Sequence, residues 1–88
     1  MKTIWKVIDH KGKSLEVELS GELYGGEFRV KNVNVINLDY WDSSDPVDEE
    51  DFDWVIEQLI DKDSVVFEIF NEVVVNEGNG DVLDVSLL

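Results

Sequence analysis

The fold turns on VVFEIFNEVVVNEGNGDVLDVSLL, Val65 to Leu88. It is crowded with β-branched and aromatic residues, the types that fit a pleated surface. Val65, Phe67 and Ile69 alternate with Val66, Glu68 and Phe70, and EGNG at 77–80 reads as a turn between EVVVN and DVLDVSLL. Read this way the segment supplies two strands, or three if the chain breaks at Asn71-Glu72.

Directly upstream lies DPVDEEDFDWVIEQLIDKD, Asp45 to Asp63, with nine acidic residues, one lysine and a tryptophan. Phe52, Val55, Ile56, Leu59 and Ile60 recur at i, i+3, i+4, i+7 and i+8, one apolar stripe of helical period. The spacing predicts a helix near residues 46–62. Two starts fit it. Asp45 caps it with Pro46 in the first helical position, or Asp48 caps it with Val47 and Phe52 as a hydrophobic staple. KDS, Lys62 to Ser64, ends it.

Further toward the N-terminus, TIWKVIDHKGKSLEVELSG reads as a hairpin. Leu15, Val17 and Leu19 alternate with Glu16 and Glu18, and Gly12 supplies the positive φ of the turn. In the first strand Ile4 and Ile8 fall on one side and Trp5 and Val7 on the other, so the parity is ambiguous and cover on both faces is one reading. After the breaker Gly25-Gly26, FRVKNVNVINL gives a third strand. Phe28 and Val30 share a parity that Val33 and Val35 reverse, so a bulge near Lys31-Asn32 is required. The expected order is β-β-β-α-β-β. That is an α+β fold over residues 1–88: one domain, an antiparallel sheet of five to six strands and one helix packed on one face. The helix stripe is expected to face Leu15, Val17, Leu19, Phe67 and Ile69.

The net charge is −14 and unevenly spread. Residues 1–38 hold six basic and five acidic residues, whereas residues 39–88 hold sixteen acidic residues and the single base Lys62, so the halves carry +1 and −15. A small domain needs a charge of only about 2–8 in magnitude for solubility. The excess points to a surface that steers a positively charged macromolecule.

Other function classes find little support. There is no cysteine for a disulfide or thiolate chemistry. No run of about eighteen apolar residues would span a membrane, and MKTIWKVIDHKGK does not read as a signal peptide. A cytoplasmic protein is the expectation. The only histidine, His10, falls in the predicted hairpin turn, and no nucleophile elbow or phosphate loop occurs, so no catalytic residue is assigned and the chain is not expected to be an enzyme. A calcium loop starting at Asp42 fails on Val47, where glycine is needed, on Pro46, where a ligand is needed, and on Asp53 in place of the bidentate glutamate. No metal or cofactor is expected. Direct binding to nucleic acid is disfavoured, because phosphates need basic residues and the chain has seven.

The acidic helix is the strongest candidate for a partner site. With Phe52 at 0° on a helical wheel, Glu57 falls at about 140°, Glu50 at about 160°, Asp61 at about 180° and Trp54 at about 200°. Trp54 is thus placed among acids on the face away from the core, as an apolar anchor ringed by charges that select a basic partner. A plainer reading also exists: acids in a first helical turn complement the helix dipole, which would explain Asp48, Glu49, Glu50 and Asp51. Glu57 and Asp61 lie beyond that turn. Tyr40, Trp41 and Trp54 are the expected anchors, with Asp39, Asp42, Asp45, Glu50, Asp53, Glu57 and Asp61 around them. The expected function is binding or inhibition of a basic, nucleic-acid-handling protein, such as a nuclease, by carboxylates standing in for phosphates. Phage inhibitors of host nucleases and immunity proteins against nuclease toxins are analogues in charge alone. The alternative is an acidic accessory or structural domain, monomeric or joined as a homodimer through its less acidic half.

Overall fold

A computed structural model describes residues 2–39, 47–77 and 82–85. The described elements are β1 (Lys2–His10), β2 (Lys13–Tyr24), β3 (Glu27–Asn37), α1 (Glu49–Ile60), α2 (Val65–Glu77) and β4 (Val82–Asp84). The fold is α+β, as the sequence predicts, but its parts differ. Among the described residues the sheet has four strands in the order β1-β2-β3-β4 rather than five or six, and there are two helices rather than one. The first two strand pairs are antiparallel, whereas β3 and β4 run parallel. A parallel pair requires a crossover, since no tight turn can return the chain in the same direction. Here α1 and α2 lie between β3 and β4 in the chain, so the crossover is helical.

The largest correction is α2, where strands were expected over Val65–Glu77. Alternation was a weak guide there because Val66 and Phe67, adjacent and of opposite parity, are both buried. The buried set Val66, Phe67, Phe70 and Val74 instead follows a helix, at i, i+1, i+4 and i+8. Ser64 caps the helix. Its Oγ accepts from the Phe67 N–H at 3.0 Å and donates to the Gln58 carbonyl, one of the orphan acceptors at the end of α1. One serine therefore satisfies the facing ends of two helices. The β-branched residues of α2 are tolerated because packing of a helical face outweighs propensities that differ by only about 0.7 kcal/mol among ordinary residues. Asn71 on this helix accepts from the Leu83 N–H at 3.0 Å, tying β4 to it. The proposed turn at 78–80 lies outside the described residues.

The N-terminal half follows the sequence closely. β1 and β2 pair through to His10↔Lys13, leaving Lys11 and Gly12 as the turn, with φ of 52° and 76°. Positive φ at both central residues suits the right-handed twist of the flanking strands. The predicted bulge is present: Val30 pairs with Gly21 and Asn32 with Ser20, which leaves Lys31 as the extra residue. This restores Phe28, Val30, Val33 and Val35 to one buried face. Gly21 sits at the irregularity because nothing larger fits. A Cβ there would run into the Arg29 carbonyl and lie 2.8 Å from its carbon. Gly21→Ala is expected to cost about 1–3 kcal/mol, as overpacking does. An unchanged urea midpoint would show that the two strands separate there without strain.

Among the described residues, β1 is covered on one face only. Ile4 and Ile8 are buried, while Trp5 and Val7 are 58% and 48% exposed on the outer face. The core joins Leu15, Val17, Leu19, Phe28 and Val30 of the sheet to Val55, Leu59, Phe67 and Phe70 of the helices. Among the residues expected in it, Ile60 is exposed, and Phe52, Ile56 and Ile69 are half-buried at its edge. The fully buried positions of α1 are Asp51, Val55 and Leu59. The inward direction is therefore rotated by roughly 60° from the Phe52-centred stripe, at 100° per residue. That rotation turns Ile60 out and Asp51 in. Among the described residues, no helix is long and apolar enough to cross a membrane.

Candidate functional site

The site is built where the β1–β2 turn meets the first turns of α1. Asp48 is the N-cap of α1, and its side chain accepts from the Glu50 N–H at 3.3 Å. This start agrees with the second of the two alternatives. Val47 and Phe52, the expected staple pair, both pack on the edge of the core. Asp45 and Pro46 lie outside the described residues. The cap fixes where the helix starts, and its rotation against the sheet places Asp51, Val55 and Leu59 inward.

Asp51 is 3% exposed. A carboxylate so deep requires partners, since an unpaired buried charge is very costly. Lys13 on β2 donates to Asp51 Oδ2 at 2.8 Å, and His10 Nε2 on β1 lies 3.7 Å from Oδ1. The His10 ring stacks on Trp54, with centroids 3.7 Å apart and planes 17° from parallel. These four residues pin the hairpin to the helix. The turn Lys11-Gly12 makes it feasible by ending β1 at His10 and restarting β2 at Lys13, so that both side chains reach the same helical turn. Among the described residues, no buried side-chain nitrogen or oxygen is left without a partner.

Trp54 is consequently not the fully exposed anchor that the wheel predicts. It is half-buried, held by His10 and packed on the core edge. The same rotation that buries Asp51 brings Trp54 toward the protein. It keeps its acidic neighbours, however. Glu50, Asp53 and Glu57 are all exposed, and with Trp54 and the turn residues His10 and Lys11 they line a recess of about 350 Å³. They stand at i, i+3 and i+7 with Trp54 at i+4, one face of the helix. Lys11 Nζ reaches to 3.8 Å from Glu50 Oε1 across this recess, an exposed and weak pair.

The other predicted residues are dispersed. Asp61 is exposed at the far end of α1, where its backbone N–H bonds to the Glu57 carbonyl and its Oδ1 accepts from the Asp63 N–H at 3.0 Å. Asp39 is committed locally: its Oδ2 accepts from the Ser14 N–H at 2.9 Å, closing the end of β3 onto β2. Tyr40, Trp41, Asp42 and Asp45 lie outside the described residues. Sequence reasoning missed His10, Lys13 and Asp51 as a unit. Asp51 carried one usable signal, its place four residues before Val55 and eight before Leu59. Nothing in one dimension joins residue 10 to residue 54.

Over residues 47–77 there are eleven acidic residues against Lys62, and every acid except Asp51 is exposed. Such crowding of like charge weakens the folded state. The melting temperature is expected to rise as salt goes from very low to about 0.15 M, where the screening length falls to about 8 Å. A fall over that range would show that favourable pairs such as Lys13–Asp51 and Lys2–Glu77 outweigh the repulsion. No protein-family profile, curated protein or solved structure matches this chain, so its function is read from its own residues.

Proposed function

We propose that the protein is a small acidic binding or inhibitor protein that occupies the basic, nucleic-acid-binding surface of another protein. The observation that carries this reading is the exposed row Glu50, Asp53 and Glu57 beside the half-buried Trp54, on the half of the chain that holds −15. Carboxylates on a rigid helix stand in for phosphates, which carry one charge per ~1.7 Å of duplex axis. A rigid platform also spares the partner the ordering cost that a flexible acidic tail would impose. Tyr40, Trp41, Asp42 and Asp45 precede the same helix in the chain and extend the surface in this proposal, with Asp39 and Asp61 at its ends. The partner is a basic protein, a nuclease or another nucleic-acid-binding protein. Nucleic acid and membrane surfaces, both negatively charged, are not partners. In this reading the protein works without catalysis, metal or cofactor, in the cytoplasm.

The test is size-exclusion chromatography with a basic nuclease at two salt concentrations. Co-elution at low salt that is lost at high salt is the expected result, since exposed charges are screened within a Debye length. Separate elution from a range of basic nucleases at low salt would count against the proposal.

A second reading is favoured by the outer face of the sheet. Trp5, Val7 and Ile36 are 58%, 48% and 40% exposed there, in the half of the chain near neutrality. In this reading the protein is an accessory or structural domain that dimerises through that face. Glu16 and Glu18 stand between these residues in the strand register, and a symmetric dimer would bring them toward their own copies. Sedimentation equilibrium decides: a monomer at high concentration removes this reading, and a dimer lost on Trp5→Ser supports it.

A further inference from the structure

The recess beside Trp54 has a more specific chemistry than a negative surface. Its lining combines a stacked aromatic pair, His10 and Trp54, with three carboxylate side chains, Glu50, Asp53 and Glu57, and the ammonium of Lys11. Building on the function proposed above, we propose that this recess takes the guanidinium of one arginine side chain of the basic partner, and that Lys11 is a resident cation which the arginine displaces from Glu50.

Three observations converge on it. First, the protein already places a cation of its own at the rim. Lys11 is fixed at φ 52° in a tight turn, and its ammonium lies 3.8 Å from Glu50 Oε1, with side chains 65% and 79% exposed. That pair is too long for a hydrogen bond and too wet to be strong, so a better cation replaces it readily. Second, Asp53 and Glu57 have no ion pair among the described residues, which leaves acceptors beyond the one Lys11 meets. Third, the aromatic pair is held in place. His10 is anchored beside the buried Asp51, and Trp54 both stacks on His10 and packs at the core edge while still lining the recess, so the aromatic wall is preorganised.

Arginine suits these features better than lysine. Its planar guanidinium is weakly hydrated and presents five donors in a rigid fork, whereas an ammonium is a strongly hydrated point charge. Guanidinium also lies against aromatic rings while its edges donate to carboxylates. The size agrees: about 350 Å³ is at the small end of the ~300–1,000 Å³ of small-molecule pockets, suited to one side chain.

The test uses the intact protein and two probes of equal charge, hexa-arginine amide and hexa-lysine amide, titrated by NMR at fixed ionic strength. His10 is the only histidine, so its ring signal is unambiguous. The expected result is a shift at the His10 ring and the Trp54 indole N–H, with hexa-arginine binding about two- to fivefold tighter than hexa-lysine. Lys11→Gln is expected to tighten hexa-arginine binding by about twofold or more, as release of a surface ion pair allows. That gain is to exceed the gain from Lys31→Gln, which removes the same charge from a residue that does not line the recess. Glu57→Gln is expected to weaken binding and shrink the arginine preference. Equal affinities for the two peptides, with shifts spread over every exposed acid, overturn the proposal. So do equal gains from Lys11→Gln and Lys31→Gln. Failure here is distinct from failure of the proposed function: a basic protein that binds while leaving the His10 and Trp54 signals unmoved removes the arginine subsite alone.

Discussion

Replacing Phe70 by alanine is expected to cost about 3–5 kcal/mol, the range for truncating a buried aromatic ring. Phe70 is among the largest fully buried side chains, in the middle of α2. Domains of this size have only about 5–15 kcal/mol in total, so the variant should be largely unfolded at 37 °C or melt far earlier. The comparison with neighbours distinguishes helix from strand. Val66→Ala and Phe67→Ala should also destabilise, although the two positions are adjacent, because both face the core. Val65→Ala should stay within about 0.5 kcal/mol, since Val65 is 69% exposed. A strand with one buried face would instead make Val65, Phe67 and Ile69 sensitive together and leave Val66 indifferent. Equilibrium unfolding in urea of these variants measures the pattern directly.

The second large effect is expected at Asp51. Asp51→Ala removes the buried carboxylate that accepts from Lys13 at 2.8 Å. Breaking a buried ion pair costs about 3–5 kcal/mol where the charge left behind is buried, but the Lys13 side chain is 37% exposed, so the loss expected is that of a charged hydrogen bond, about 1.5–3 kcal/mol. Glu49→Ala and Glu50→Ala, in the same first turn of α1, should cost less than about 1 kcal/mol, the size of a helix-dipole contribution at the surface. The contrast within one helical turn is the informative quantity. If all three substitutions cost the same, the buried carboxylate contributes no more than its charge near the helix end. Asp51→Asn retains an acceptor for Lys13 and should recover part of the loss.

Local rules made much of the N-terminal half legible. The alternation at Leu15, Val17 and Leu19 gave β2, Gly12 gave the turn, and the parity reversal between Val30 and Val33 required the bulge that leaves Lys31 unpaired. The helix at Glu49–Ile60 followed from the spacing of Phe52, Val55 and Leu59. The failure at α2 has a physical cause. Val and Ile favour strands by propensity, but here a helical face closes the core over the sheet, and tertiary packing overrides a weak local preference. Ser64, read only as the end of α1, was the overlooked start signal of α2. β4 was recognised as a strand, but its parallel pairing follows from the helical crossover and so could not be read while α2 was taken for strands.

The candidate site was half legible. The acidic face of α1 at Glu50, Asp53 and Glu57 was evident from the wheel, but its rotational phase was not. A phase centred on Phe52 makes Trp54 fully exposed and Asp51 an ordinary first-turn acid. The observed phase, set by the Lys13–Asp51 bond and the His10–Trp54 stack, buries one and half-buries the other. Those contacts join residues about forty positions apart, and no periodicity encodes them.

Docking of the outer face of α1 on a basic surface should fail when the charge of that face is reversed. Asp53→Lys combined with Glu57→Lys alters two exposed residues that make no hydrogen bond or ion pair through their side chains among the described residues. The variant should therefore keep its circular dichroism and its melting temperature or raise it. The measurement is its affinity, against the wild type, for the protein captured by the wild type from the source cell. The captured protein is expected to have a basic surface and to bind the variant at least about tenfold more weakly, mainly through slower association, with a shallower dependence on salt. A captured protein bound equally by both forms, with the same salt dependence, would contradict it.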